Sequence, residues 1–358
     1  MTTALSVSQP VPRVLVVGLG AIGGLVMGGL LSHPSGVVDV VGLSTNPTIA
    51  TALTADGFRL GGVRTPSVTR GLVVGSVDKV DGLFAYILIA LQPPHAADAV
   101  RSLVHLLAPD GVFVLLQNGL PEDIIGGMVG MDRVIGAVVT WGASQDGPGV
   151  FLQTSPGGFI LGRPNGLVDP TLQRLSTLLK PVGKSLLTDN IVGARWSKLA
   201  INASISTLGT IGGDTLGRLM RSALVRRLFL EIVSETVAVA QASGVRLAPV
   251  SRALDLSRLA LTPAERRGGL RLWPKHTALL VVGLRYRRMR SSMLAAIERG
   301  RPAAVDFLNG EVVRRGAALG VPTPVNTHAT ALVHAIARGE ARSGMALIHQ
   351  LATQVGLR

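Results

Sequence analysis

Residues 18–23 read Gly-Leu-Gly-Ala-Ile-Gly, directly after the apolar run 14–17 and directly before a helix-compatible run. A buried strand, a three-glycine turn and a helix, in that order, leave few folds open. The first glycine permits the tight turn, the second lets a pyrophosphate approach the backbone, and the third lets helix pack on strand. The helix N-terminus then offers free N–H groups and a positive dipole end. In this context the motif predicts a dinucleotide site built from Gly18, Leu19, Gly20, Ala21, Ile22 and Gly23. The plainer alternative is a glycine-rich buried turn that binds nothing. Hydropathy offers a third reading, since residues 14–38 carry no charge and are long enough to span a bilayer. They also carry seven glycines, at a spacing the turn explains better. Residues 1–12 lack the basic start of a signal peptide and read as a flexible leader. A cytoplasmic location is expected.

Short apolar runs at 37–43, 83–91 and 111–116 continue the pattern, separated by helix-length segments at 21–32, 47–55 and 94–107. Continuous apolar runs suit strands covered on both faces of a parallel sheet. Alternation with helices is the rhythm of an α/β, doubly wound Rossmann fold. Further strands are expected at 134–141, 150–154, 158–161 and 185–188, with a helix near 169–180. After residue 190 the strand-like runs vanish and helical spacing dominates, at 194–210, 222–243, 249–259, 278–299, 303–319 and 326–337. The sequence therefore predicts a dinucleotide-binding domain over 13–191 and an all-helical domain over 192–358.

The end of the second strand normally announces the nucleotide, with an acid for a ribose or an Arg for a 2′-phosphate. Here it reads Ser44-Thr45-Asn46, and neither signal is present. The missing carboxylate removes one repulsion against a phosphate and tilts the expectation toward NADP over NAD. The 358 residues hold no cysteine, which excludes thiolate metal sites and cysteine nucleophiles. Seven histidines show no metal-ligand spacing, so no metal is expected. Net charge is +14, and much of the excess falls in 263–301. That stretch has no aromatic interleaving and matches no nucleic-acid module. It reads as a solvated helix face, with neither nucleic acid nor membrane as a partner.

Lys is scarce, five of the 35 basic residues, which draws attention to Lys198 in WSKLAINASIS. Lys198 and Asn202 lie four residues apart on one helix face. Such a pair can polarise a carbonyl oxygen; it is equally the pattern of a surface Lys beside a helix-interior Asn. The wider pattern decides between these. GLGAIG, LLQNG, KLAIN and SSMLAAIERGRPAAVDFLNGEVVRRGAALGVPTPVN occur in that order. Together they closely resemble the ketopantoate reductase (2-dehydropantoate 2-reductase) family, from about residue 14 to about residue 332. The resemblance implies an N-terminal Rossmann domain, a helical C-terminal domain, an active site in the cleft between them, and reduction of a 2-oxo acid with NADPH. It further implies a proton donor at Lys198, a substrate hydrogen-bonder at Asn202 and a carboxylate anchor at Ser292. Asn118 would lie near nicotinamide and substrate, and Ala143 would line the cofactor. A homodimer is in keeping with the resemblance.

Departures from the family pattern fall on polar positions. Gln92 stands where the family usually has a cofactor-side Lys, and Ala304 where it has a Glu. Ser206 replaces a second Asn, and Leu216 the Asn of an NG pair. Asp306 does not replace the lost acid, because two residues along a helix is about 200° around its axis. A site built to pair a polar substrate rejects that substrate once the pairing is lost. The sequence thus predicts an NADPH-dependent oxidoreductase for a ketone, 2-oxo acid or imine other than ketopantoate. The alternative is a repurposed member that binds a dinucleotide or apolar ligand and catalyses a cyclisation or isomerisation, or only binds. A basic interaction protein is a third and weaker reading.

Overall fold

The computed structural model describes residues 11–249 and 255–357. One compact unit takes in the described residues up to Gln117 together with Pro121–Ile191. The other takes in Asn118–Leu120 and the described residues from Val192 onward. Residues 118–120, placed in the first domain from the sequence, thus group with the second, where Leu120 packs on its apolar core. Of the leader expected at 1–12, residues 1–10 lie outside the described ones.

The strands of the first unit are β1 (Arg13–Val17), β2 (Asp39–Leu43), β3 (Phe58–Gly62), β4 (Ser67–Thr69), β5 (Leu72–Val74) and β6 (Phe84–Ile89). Then come β7 (Leu107–Leu115), β8 (Val134–Val139), β9 (Ala143–Gly147), β10 (Val150–Gln153), β11 (Phe159–Gly162) and β12 (Ser185–Leu187). Its helices are α1 (Ala21–Leu30), α2 (Pro47–Asp56), α3 (Pro93–Leu103), α4 (Glu122–Val129) and α5 (Pro170–Leu178). Eight strands form one sheet in the order β12-β11-β8-β7-β6-β1-β2-β5, parallel throughout except where β11 meets β8. Side chains alternate across a strand. Val14 and Val16 accordingly enter one core, with Val26, Leu30 and Phe151, while Leu15 and Val17 enter another, with Val100 and Phe113. Both faces are covered, which is why these strands read as unbroken apolar runs.

A second sheet, in the order β4-β3-β10-β9, packs against α1. Three of its strands are absent from the sequence reading, and its presence explains part of the glycine density of α1, at Gly24 and Gly28. A Cβ built at Gly24 would lie 2.3 Å from the Phe151 ring, one at Gly28 2.7 Å from Leu60, and one at Gly29 2.6 Å from Val182. Glycine lets the helix approach its neighbours at backbone distance. Residues 23–30 are buried in consequence. The charge-free stretch is therefore a buried strand, the glycine turn and an interior helix with the loop after it, and among the described residues no helix is long and apolar enough to cross a membrane.

The second unit is helical: α6 (Ile191–Gly212), α7 (Leu216–Leu219), α8 (Ala223–Ala242), α9 (Leu256–Leu259), α10 (Pro263–Arg266), α11 (Trp273–Arg285), α12 (Ser292–Glu298), α13 (Asn309–Ala318), α14 (Pro324–Ala337) and α15 (Met345–Gln354). The single helix expected over 278–299 is two, α11 and α12. Ser291 starts the second by accepting the Leu294 N–H at 3.2 Å. Similarly, 303–319 is a 3₁₀ turn at Ala304–Phe307 followed by α13. Of the helix expected over 249–259, residues 250–254 lie outside the described ones.

Phe229, Leu230 and Trp196 anchor the apolar core of this unit. A buried polar chain crosses it. The Glu235 carboxylate of α8 accepts from the backbone N–H groups of Val325 (2.8 Å) and Asn326 (2.9 Å), and from the Asn326 side chain (2.7 Å). Asn326 in turn accepts from Asn309 Nδ2 at 2.9 Å, and Asn309 also donates to the Ala203 carbonyl of α6. Glu235 thus meets two otherwise unpartnered donors at the start of α14.

Candidate functional site

Each glycine of the turn has a separate geometric reason. Gly18 sits at φ +88°, where an L side chain is strained, and a Cβ there would lie 2.6 Å from Leu91. At Gly23 a Cβ would stand 1.9 Å from the Gly18 carbonyl oxygen and 3.1 Å from Ala90, so this glycine seats α1 on the sheet. A Cβ at Gly20, which caps α1, meets nothing within 4 Å. That position is open space in front of a helix N-terminus, the place where a pyrophosphate sits in such turns.

Gly18 and Gly20 form part of the wall of an open cleft of about 410 Å³ within the first unit. Its other walls include Ser44 and Thr45 at the end of β2, Ile49 of α2, and Asp98 and Ser102 of α3. The sequence reading missed the α3 residues, because no motif ties them to the turn. No Lys or Arg lines the cleft. Asp98 is its one acidic wall residue, and Arg101 pairs with it. Asn46 also lines the cleft, but its side chain accepts the Ile49 N–H at 3.2 Å and so caps α2. Gln92 and Ala143 are not among the lining residues. Gln92 is an exposed residue preceding α3, and Ala143 begins β9 half-buried.

In the second unit, Lys198 and Asn202 follow one another on α6, one turn apart. Burial, joined by the positive charge of Arg195, lowers the Lys198 pKa from 10.5 to about 7. Burial favours the neutral amine, and a second cation three residues earlier adds to the cost of charging it. Arg195 is buried in the same helix, three residues before Lys198. Asn202 Nδ2 donates to Asn118 Oδ1 at 3.3 Å, so the two asparagines singled out in KLAIN and QNG meet within this unit.

Ser292 is exposed at the first position of α12. Its neighbour Ser291 is the structural serine: it is buried, donates to the Ser206 carbonyl (2.7 Å) and meets the Thr210 hydroxyl (2.9 Å). That bond fastens α12 to α6. Of the departures, Leu216 is buried in the core, and Ala304 opens the 3₁₀ turn half-buried. Asp306 is exposed and bonds His334 at 2.8 Å. Among the described residues no group of His, Asp and Glu is arranged to hold a metal ion.

A parallel sheet that turns through three glycines into a buried helix, joined in one chain to an all-helical unit, defines a two-part Rossmann-type protein. The chain belongs to the ketopantoate reductase family: residues 14–166 match its model, Ketopantoate reductase PanE/ApbA, and residues 190–337 match the model of its C-terminal part. A 2-dehydropantoate 2-reductase of Pyrococcus abyssi is 25% identical over 318 residues, covering 88% of this chain and 94% of that protein. The crystal structure of 2-dehydropantoate 2-reductase from Methylococcus capsulatus is similar with a TM-score of 0.71 at 25% identity, over 92% of this chain and 98% of that one. D-mandelate dehydrogenase, solved with NADH and anilino(oxo)acetate, shares the fold with a TM-score of 0.75 at 20% identity, over 91% of this chain and 99% of that one.

Proposed function

We propose that this protein is a nicotinamide-dependent reductase of a ketone, 2-oxo acid or imine other than ketopantoate, with Lys198 as its proton donor. The observation that carries the reading is the placement of Lys198 one turn before Asn202 on α6, where burial and the charge of Arg195 lower the amine pKa to about 7. A general acid works best when its pKa lies near the operating pH. The names of the family relatives, 2-dehydropantoate 2-reductases, support a reductase.

The dinucleotide fits the turn. Gly20 leaves open the space that a pyrophosphate needs, Gly18 and Gly23 let the chain turn and α1 seat behind it, and Leu19, Ala21 and Ile22 supply the surrounding backbone. When bound, the reduced nicotinamide supplies a hydride to the carbonyl or imine carbon. As negative charge develops on the carbonyl oxygen or imine nitrogen, the Lys198 ammonium stabilises it and delivers its proton there. Asn202 holds the same substrate atom by a hydrogen bond, its amide oriented through Asn118. Ser292, with its exposed hydroxyl, anchors a substrate carboxylate, and Ala143 and Gln92 complete the cofactor side. The missing acid at Ala304 and the buried Leu216 remove polar partners, which favours a less polar substrate than ketopantoate.

The cofactor preference we propose is NADPH by less than about tenfold. Neutral Ser44 and Thr45 face the cleft and admit either nucleotide, and no cation is present to hold a 2′-phosphate strongly. Titration of the purified protein with NADPH and NADH by fluorescence, followed by a panel of oxo acids, ketones and imines, tests the whole reading. Oxidation of NADPH by a panel member, lost in Lys198→Ala, is the expected result. Tight binding with no turnover on any member would point to a non-redox role, and undiminished turnover in Lys198→Ala would remove the proton donor.

A further inference from the structure

Helix α11 is apolar on both sides, yet only one side is buried. Leu272, Leu279 and Gly283 face the core of the helical unit. Trp273, Leu280, Val281 and Leu284 are exposed at 72%, 36%, 59% and 69%, and Leu270 just before the helix at 90%. At 100° per residue, the exposed apolar positions of the helix share a stripe about 100° wide. Thr277 is the one polar residue within it. A helix that is apolar all round is normally buried all round. An apolar face of this kind marks a place of interaction.

Charge identifies what covers the stripe. From Arg266 to Ile297 the chain holds seven Arg and one Lys and no acidic residue. Lys275 faces inward to Glu265 (2.7 Å), and Arg266 and Arg290 have carboxylate partners. Arg267 and Arg271 before the helix and Arg287 and Arg288 after it are exposed, and no described carboxylate pairs with them. The stripe is therefore bracketed at both ends by unpaired arginines. Two copies meeting face to face would bring eight such arginines together. A nucleic acid would satisfy the arginines and leave the apolar stripe between them against phosphates. An anionic bilayer meets both demands at once, since headgroups take the arginines and the acyl boundary takes Trp and Leu.

We propose that α11 docks the protein onto an anionic membrane surface, lying in the interface plane with Trp273, Leu280, Val281 and Leu284 inserted. The sequence reading of 263–301 as a solvated helix face did not foresee this, because the periodicity there does not reveal which apolar positions the core leaves uncovered. The proposal is independent of the reaction, so a protein without reductase activity would still bind.

The test uses full-length protein with vesicles of equimolar phosphatidylglycerol and phosphatidylcholine, and with vesicles of phosphatidylcholine alone. Co-sedimentation with the anionic vesicles only, reversed by salt, is expected. A blue shift of tryptophan fluorescence accompanies it, because Trp141 and Trp196 are already buried and Trp273 alone is exposed. Arg287→Gln with Arg288→Gln weakens partitioning about 30-fold. Leu280→Ser with Leu284→Ser abolishes the blue shift. Both double variants change exposed side chains, so their melting temperatures should match the parent. The proposal is overturned by wild-type protein remaining in the supernatant, or by serine variants that bind like the parent. It is equally overturned by a lipid-free dimer that the serine variants dissolve, or by RNA captured in preference to vesicles.

Discussion

On the proposed reading, residues 18–23 of the glycine turn act by leaving space, whereas Lys198 and Asn202 on α6 act by the atoms they carry. The turn fails when anything is added: a Cβ meets Leu91 at Gly18 and a carbonyl oxygen at Gly23. The α6 pair fails when something is taken away, because its effect lies in one amine with a lowered pKa and one amide held by Asn118. Substitutions in the two regions should therefore damage different quantities, folding and binding in one and the rate of chemistry in the other.

The largest effect is expected from Lys198→Ala, which should lower kcat by about 10²–10⁴ while leaving the dinucleotide Kd unchanged. Lys198→Arg should not restore the rate, since a guanidinium does not release its proton near neutral pH. A parallel fall in cofactor affinity would break the separation between the two regions. The same amine fixes a pH signature. Reduction by the proposed route needs it protonated, so kcat should be flat below pH 7 and fall about tenfold per unit above it. Stability runs the other way. Between about pH 7 and 10.5 the unfolded chain holds a proton on Lys198 that the folded protein has released, so this group makes stability rise with pH across that window. A pH–rate profile and denaturant midpoints measured on the same samples check both slopes, and Lys198→Ala should lose both.

Next in size are two glycine changes that separate packing from binding. Gly23→Ala forces a methyl against the Gly18 carbonyl and should cost about 1–3 kcal/mol or more of stability. Gly20→Ala meets no protein atom and has an ordinary φ of −80°, so its melting temperature should hold. Its dinucleotide Kd should nevertheless rise about tenfold, the equivalent of about 1.4 kcal/mol of crowding in the liganded state. If Gly20→Ala binds as tightly as the parent, the open space before α1 is not where the pyrophosphate lies.

Glu235→Gln extends the comparison to the frame that holds α6. One of the carboxylate oxygens becomes an NH₂ group that faces an N–H of Val325 or Asn326, leaving a buried donor unmatched. The expected loss is about 1–3 kcal/mol in a denaturant melt. Burial pushes the Glu235 pKa up, opposed by the hydrogen bonds from Asn326 and Val325. Its raised pKa means that the folded state holds the proton longer than the unfolded chain as pH rises. Its contribution is therefore greatest in acid and declines above the ordinary carboxylate range. The parent should show this decline and Glu235→Gln should not.

How much of this was legible beforehand depended on whether local sequence carries the cause. The eight-stranded sheet was largely readable because strands covered on both faces, such as the fully buried β8, leave unbroken apolar runs. β4 (Ser67–Thr69) and β9 (Ala143–Gly147) are half-exposed and mostly polar, so nothing in their composition separates them from loops. The turn at 286–291 was hidden because the helical spacing continues through it; the Ser291 cap that restarts the chain was readable and was overlooked. On α6 the four-residue spacing of Lys198 and Asn202 was plain. The partners of Glu235 lie 90 and 91 positions away and become visible only in three dimensions.

The smallest change distinguishes two roles for one residue at the cleft. Asn46 stands just after β2, where a ribose or its phosphate is normally met, yet its side-chain oxygen accepts the Ile49 N–H at 3.2 Å as the cap of α2. A cap of this type contributes about 1 kcal/mol, so Asn46→Ala should lower stability by that amount and leave the NADPH Kd within about twofold. Asn46→Asp retains a capping oxygen and should restore the stability, while its charge beside the cleft should weaken NADPH more than NADH, because only NADPH carries the extra phosphate. Were Asn46→Ala to weaken both nucleotides equally without loss of stability, the carboxamide would belong to the ribose and the cap would be incidental. Asn46 would then act, like Lys198, through the atoms it carries.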